Sequence, residues 1–461
     1  MSEVVVEEQS SLNLAEKLYE SNPYFYDEAG LFWLWHDGNK VYRICDEVAL
    51  FNVFHDIGLD KEWLAQDGRQ KSTTQPGYKS ELIEAFRRVG RRHKPDSLPS
   101  SWIQFNDKLI DLDTGTEGTG IWDWFSTNTI PWTPSDSEDT PVMDRIFEQW
   151  VGPELVPMLY EIIAYCMLPQ YPIHRIFCLN GSGSNGKSKF QELLMKFIGK
   201  DNCCATDLDL LISNRFEIAK LYRKLVCNMG ETNLNALSKT QVIKRLTGQD
   251  LMTFEFKFKN GITGLNCAKL IVNTNSLPQT FDKTDGFFRR WVIVDFPNQF
   301  QETEDVLARI PDNEYNNLAR KCIRILRELL QRRAFTDEGT IEQRRQRYEE
   351  ASNPLKKFIS LYYMEDVNSR TPYGPFRERF MTFLRENKRR MLTAKELTNA
   401  LKHEGFDTKT FTTGKGDEKT SRVYILGVEE KSIDNTDSQT DYKQEDGGYD
   451  WNRHYEGCAD E

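Results

Sequence analysis

The residues best suited to chemistry form one run, Gly181-Ser182-Gly183-Ser184-Asn185-Gly186-Lys187-Ser188. It fits G-x-x-x-x-G-K-[ST], the phosphate-binding loop. Ile176 to Leu179 precede it as a short apolar strand, and Phe190, Leu193, Leu194, Phe197 and Ile198 follow at helical spacing. Glycines let successive backbone N–H groups curl around a phosphate, and the helix N-terminus adds favourable partial charge. Lys187 would reach the β- and γ-phosphates, and Ser188 would hold Mg²⁺. The bland alternative is a chance glycine loop before a helix. The strand–loop–helix context favours nucleotide binding, with ATP and Mg²⁺ as the expected cofactors.

Four further features could serve such a loop. Leu225 to Glu231 reads as a buried strand ending in a carboxylate, and Glu231 could order Mg²⁺ or polarise the attacking water. Its alternative is a helix cap. Lys269 to Asn275 reads as a third buried strand, whose polar end at Asn275 could sense a γ-phosphate. Arg289-Arg290, just before the strand Trp291 to Val294, could place an arginine finger in a neighbouring subunit or form a surface salt bridge. Phe254 to Gly261 alternates strictly and ends in Asn260-Gly261, a hairpin signal. Lys257 and Lys259 beside its tip would grip a phosphate backbone or simply be solvated.

These elements must sit in a chain of 461 residues, for which roughly three domains is the length prior. It is 39% hydrophobic and 12% aromatic, with a mean hydropathy of −0.62. The acidic first residues lack the pattern of a signal peptide, and Leu155 to Tyr171 is too short and too polar to span a bilayer. No membrane partner and a cytoplasmic location are expected, in the host cell if the source is viral. Nine scattered cysteines show no metal spacing and suggest a reducing compartment. Net charge is −11, but residues 429–461 alone contribute −8, leaving −3 for the body. The low net charge of the body therefore does not exclude a nucleic-acid partner.

Residues 1–95 read as a small α+β region with strands at 31–35 and 41–44 and a helix from Glu47 to His55. Its basic run, Arg87 to Lys94, is a nucleic-acid contact or a solvated helix end. Residues 96–172 carry a strand–turn–strand pattern, Trp102 to Gly115, and a helical lead-in from Pro141 to Leu168. Asp111-x-Asp113 within it is read as a turn rather than a metal pair. Residues 173–335 hold the nucleotide domain. In 336–428, three helices and a hairpin turning at Gly414 to Asp417 suggest a winged helix, with Lys388, Arg389, Arg390, Lys395 and Lys402 placed for DNA. A structural cap is the alternative. Residues 429–461 form an acidic tail expected to be disordered.

Taken together, the loop, the Glu231 strand end, Lys244-x-x-Thr247-Gly248-x-Asp250, the lysine hairpin, Thr274-Asn275 and Arg289-Arg290-Trp291 resemble the superfamily 3 helicases. The resemblance is closest to the helicase half of phage, plasmid and poxvirus-type primase-helicases, and it covers roughly residues 96–365. It implies an α/β fold with an AAA+-type P-loop core, and a homo-oligomeric ring, usually hexameric, with ATP between subunits. It also implies Glu231 as the acid activating water, Asn275 as sensor and Arg290 as the finger. Lys257, Lys259 and Asn260 would lie on a pore hairpin that moves single-stranded DNA at a fork, in the 3′→5′ direction. Gly230 departs from a pattern of two adjacent acids. No primase motif is visible, so primer synthesis is not expected, and a separate primase or polymerase is a possible partner. Rival readings are an ATP-binding replication initiator or scaffold with weak hydrolysis, and a small-molecule kinase.

Overall fold

A computed structural model describes residues 11–59, 76–181, 184–230, 237, 239–257, 260–275, 277–301, 305–386, 391–413 and 420–431. They fall into two compact units, one of those within 1–357 and 382–391, the other of those within 358–381 and 392–461.

The first unit opens with α1 (Ser11–Ser21), an antiparallel sheet of β1 (Tyr24–Tyr26), β2 (Phe32–His36) and β3 (Val41–Cys45), then α2 (Glu47–Asp56) and α3 (Pro76–Arg92). Side chains alternate along β2, so Phe32 and Leu34 pack with Leu14, Phe54 and Phe86, while Trp33 and Trp35 join Phe25 and Tyr42 on the other face. The basic run at the end of α3 is largely consumed within this region. Arg87 pairs with Glu47 at 2.9 Å, His93 with Glu16 at 2.9 Å and Arg92 with Glu16 at 3.4 Å. Arg91 donates to the Asp27 carbonyl at 2.7 Å. Distant acids thus turn the run into internal ion pairs and weaken the nucleic-acid reading.

Six short strands follow: β4 (Asp96–Ser97), β5 (Trp102–Phe105), β6 (Leu109–Asp111), β7 (Glu117–Gly118), β8 (Trp124–Phe125) and β9 (Thr129–Ile130). The Asp111 carboxylate accepts from the Thr114 hydroxyl at 2.7 Å and the Asp113 N–H at 3.2 Å, closing a turn as expected. Hydrogen bonds from Thr114 and Ser101 hold its carboxyl below the usual range.

Helices α4 (Pro141–Val151) and α5 (Val156–Cys166) lead into the main sheet. Its chain order is β10 (Ile176–Asn180), α6 (Lys187–Ile198), β11 (Cys203–Thr206), α7 (Leu208–Ser213), α8 (Arg215–Ile218), β12 (Val226–Met229), α9 (Thr240–Thr247), the hairpin β13 (Met252–Phe254) and β14 (Ile262–Gly264), β15 (Lys269–Thr274), α10 (Asp285–Phe288) and β16 (Trp291–Asp295). Then come α11 (Asp312–Arg332) and α12 (Ile341–Ser352). The five sheet strands run parallel in the spatial order β11-β12-β15-β10-β16.

Both faces are covered, which is why these strands read as continuous apolar runs. Phe177, Leu179, Ile271 and Val292 face one core with residues of α4, α5, α6 and α11. Ile176, Cys178, Leu270 and Trp291 face the other with residues of α9, α10 and α12. The Tyr348 ring of α12 lies 5.0–5.7 Å from Phe287, Phe288 and Trp291. Helix α12 thus packs on this sheet, although it lies beyond residue 335.

The expected hairpin exists in altered form. β13 ends at Phe254, opposite Ile262, so Glu255, Phe256, Lys257, Asn260 and Gly261 all lie outside the paired strands. Phe256 and Ile262 pack against the aromatic cluster of Phe25, Trp33 and Tyr42, and that contact draws the chain out of the alternating pattern.

In the second unit, α13 (Pro354–Tyr362, from Phe358 onward), β17 (Tyr363–Pro372), α14 (Tyr373–Glu386, up to Met381), α15 (Ala394–His403), β18 (Thr408–Thr413) and β19 (Thr420–Glu430) follow in turn. The antiparallel sheet has the order β17-β19-β18. Phe358, Phe376 and Phe380 supply its aromatic core. A capping box between Thr393 and Glu396 starts α15. Lys388, Arg389, Arg390, the Gly414 to Asp417 turn and the tail from residue 432 lie outside the described residues.

Candidate functional site

The loop between β10 and α6 lies at the carboxyl end of the sheet, where open α/β sheets bind ligands. Its described part is held from several sides. Asn185 Nδ2 donates to the Phe296 carbonyl at 2.9 Å, and the Phe300 N–H donates to the Ser184 carbonyl at 2.7 Å. Ser184 and Gly186 both adopt left-handed backbone, with φ of 49° and 89°. Left-handed residues in such a turn help its N–H groups converge into an anion-binding concavity. Gly186 is irreplaceable for a second reason. A Cβ there would come within 2.5 Å of Trp150 Nε1, which packs against the loop.

Lys187 is the first residue of α6 and is buried. Its ammonium donates to the Gly181 carbonyl at 2.8 Å, to Asn185 Oδ1 at 2.8 Å and to Asn275 Oδ1 at 3.3 Å. Ser188 Oγ accepts from Asn273 Nδ2 at 3.2 Å, and the same amide lies 3.5 Å from Gln191 Oε1. The structure thus joins three expected residues, Lys187 and Ser188 from the start of α6 and Asn275 from just past the end of β15. Asn273 and Gln191 were not anticipated. The signal for Asn273 was available, because residues two apart on a strand share a face.

These side chains line an open cleft of 970 Å³ that also includes Gln149, Trp150, Gly230, Phe300 and Arg309. The residues present fit a bound phosphate. A buried ammonium is met by neutral oxygens that an anion could replace, beside a left-handed turn at a helix N-terminus. Asn228, on the α6 face of β12, is buried with neither atom of its amide hydrogen-bonded. Such a group costs about 1–3 kcal/mol unless something partners it. Ser182, Gly183, Glu231 and Lys259 lie outside the described residues.

The arginine pair requires a correction. Arg290 was expected to reach into a neighbouring subunit, yet it is only 6% exposed. Its Nε donates to Thr247 Oγ1 at 2.8 Å, Nη2 to the Lys244 carbonyl at 3.2 Å, and Nη1 to the Gly286 carbonyl. Burial first, and the neighbouring Arg289 charge second, press its pKa downward. Arg290 therefore ties α9 to α10 within its own chain, while Arg289 is exposed. Lys244 pairs with Asp282 at 2.5 Å. Burial would raise the Asp282 carboxyl, but hydrogen bonds from Lys244, Thr240 and Thr284 outweigh it and hold the group well below its ordinary value. On the hairpin, Lys257 and Asn260 are both exposed.

The fold defines the class, a mixed α/β protein built on a parallel sheet. Residues 179–290 match a family of unknown function, DUF5906. A protein of Acanthamoeba polyphaga mimivirus named "Putative helicase L207/L206" is 27% identical over 149 residues, 31% of this chain. The match spans only 15% of that relative's length. Two apo structures of the NrS-1 C-terminal region overlay on 91% of this chain and all of theirs, at 11% and 12% identity with TM-scores of 0.45 and 0.46. Among the described residues, no helix is long and apolar enough to cross a membrane.

Proposed function

We propose that this chain is an ATP-driven DNA helicase of the superfamily 3 kind, working as a ring, hexameric by resemblance, with ATP at the subunit interfaces. The observation that carries the reading is the convergence of Lys187, Ser188, Asn273 and Asn275 at the carboxyl ends of β10 and β15, in an open cleft. The loop from Gly181 to Ser188 would cradle the phosphates and Lys187 would turn from Asn275 toward them. Mg²⁺ bound with the nucleotide would neutralise phosphate charge, held through Ser188 with Glu231 as the acid. Asn275, already touching Lys187, would report the state of the γ-phosphate.

Arg289 takes the role of finger in this reading, because Arg290 is committed to its own chain. Both arginines precede β16 and so lie at the amino end of the sheet, away from their own chain's cleft. From that position Arg289 would serve a neighbour's cleft rather than its own. Lys257, Lys259 and Asn260 would contact the DNA backbone on the strand being moved. The three helices and the β17-β19-β18 sheet support a winged-helix reading of the second unit, with Lys395 and Lys402 exposed on α15. The similarity to the mimivirus protein's helicase name supports this class. Gly230, which puts no side chain at the end of β12, favours the second reading of an ATP-binding initiator with weak hydrolysis.

ATP turnover with and without single-stranded DNA, together with unwinding of a forked duplex, tests the proposal. DNA should stimulate turnover, and Lys187→Ala should lower it by a factor on the order of 10²–10³ while leaving the fold intact. Inactive Arg289→Ala subunits mixed with Lys187→Ala subunits should regain turnover. Turnover by isolated monomers, indifferent to DNA, would overturn the reading.

A further inference from the structure

A second cleft, of 670 Å³, opens at the amino ends of the sheet strands. It is bounded by Arg43 on β3, Lys196 and Lys200 at the end of α6, and Arg223 and Lys224 before β12. We propose that this cleft holds a single strand of nucleic acid by its phosphates, as a site separate from both the nucleotide cleft and the lysine hairpin. The twelve residues of α6 separate it from Lys187 by about 18 Å, so the two sites occupy opposite ends of one helix.

Charge is the first argument. Five cations line the cleft against two acids, Glu192 and Asp201, in a chain whose net charge is −11. Both acids are already engaged. The Asp201 carboxylate pairs with Arg43, and its carbonyl accepts from Lys224 Nζ at 2.6 Å. Glu192 pairs with Lys189 at 2.8 Å. Arg43 is spent on Asp201 and Lys196 pairs with Asp312 at 3.5 Å, so the positive charge left facing the cleft comes chiefly from exposed Lys200 and Arg223. An anionic polymer is the partner that such a field attracts.

The second argument is the backbone at Arg223. It has a φ of 58°, a left-handed conformation that a long, charged residue rarely adopts. Asn128 Nδ2 holds it there by donating to the Arg223 carbonyl at 2.9 Å. The guanidinium lies 4.9 Å from the Phe125 ring centroid and 5.7 Å from that of Tyr222. Backbone strain kept in place by its surroundings is a mark of functional positions. Here the strain presents a cation at the mouth of a cleft, stacked on rings that restrict its motion.

The third argument selects the strand. Between the cations, among Asn and Thr side chains, the walls carry apolar Ile44, Pro131 and Met195, and Ile44 is 51% exposed. Proteins that hold single strands combine a cationic track with apolar or aromatic surface for the bases. A duplex, with its bases turned inward, would meet only the rim. The site does not depend on the ATP reading. A chain that failed to hydrolyse ATP would still bind a strand here.

Anisotropy of a fluorescent oligothymidine, measured across a salt series, tests this on the full-length chain. Arg223→Gly removes the cation at a position whose backbone suits glycine, so the fold should survive. Combined with Lys200→Glu, it should weaken binding at least fivefold and lower the salt slope by about 0.7 for each phosphate no longer neutralised. Basal ATP turnover without DNA should not change. A 5-iodouracil oligonucleotide should photo-crosslink to the peptide containing Tyr222 in the wild type and in Lys257→Ala alike. Unchanged affinity and salt slope in the double variant, no crosslink at that peptide, or equal binding of blunt duplex would each overturn the proposal.

Discussion

Two buried lysines sit at opposite ends of the same parallel sheet and behave differently. Lys187, at the carboxyl end, lines an open cleft, and its ammonium is shared among the Gly181 carbonyl and two amide oxygens. Lys269, at the amino end of β15, has no exposed surface. It donates to the Leu168 and Cys267 carbonyls and lies 5.0 and 5.6 Å from the Tyr165 and Tyr171 ring centroids. Burial pushes its pKa down to about 8. A buried cation is thus no sign of a site by itself. What separates the two is access: one can exchange its partners for a ligand's oxygens, the other is locked into the junction of helix and strand.

The sharpest way to break this contrast is to disrupt the amino end, where stability should suffer and chemistry should not. Glu338 accepts from Arg175, just before β10, at 2.7 and 2.8 Å and pairs with Arg344 at 2.8 Å, all three largely buried. Glu338→Ala leaves two buried guanidinium groups facing each other and should cost about 3–5 kcal/mol in denaturant unfolding. Nucleotide affinity of the folded fraction should be unchanged.

A smaller effect, visible through pH, is expected at Lys269. Its folded pKa of about 8 lies below the ordinary 10.5. Between these values the unfolded chain binds the proton that the folded one has released, so stability rises with pH across that window. Below pH 8 the full penalty of the buried charge applies. Relative to Lys269→Met, the wild type should gain roughly 3 kcal/mol from pH 8 to above 10.5. Parallel stability curves for the two proteins would show that the ammonium is better solvated than its burial implies. The smallest stability effect belongs at the carboxyl end. Asn275→Ala should shift unfolding by no more than about 0.5 kcal/mol, yet slow ATP turnover.

Legibility followed the range of the forces involved. The loop and its helix could be read because strand, glycines and lysine are contiguous and the conformation is local. The strand ending at Asn275 was equally plain, and Asn273 could have been found from its period of two. A pair of adjacent arginines carries no sign of which one is turned inward, so the burial of Arg290 is not legible in the sequence. That choice was made by Thr247 and the carbonyls of Lys244 and Gly286, over forty residues away for two of them. The alternating pattern runs past the end of β13 for a similar reason, since Phe256 packs on an aromatic cluster more than two hundred residues earlier. The basic run at Arg87 to His93 looked available until Glu16 and Glu47 were placed beside it.

The sequence by itself determined the phosphate-loop pattern, the buried parallel strands and the acidic character of the chain's end, because glycine freedom, apolar periodicity and charge are properties of neighbouring residues. Tertiary structure alone decided which cations are spent inside the protein and which face a cleft. A charge's availability depends on what the folded chain brings within a few ångströms of it, and no local pattern records that.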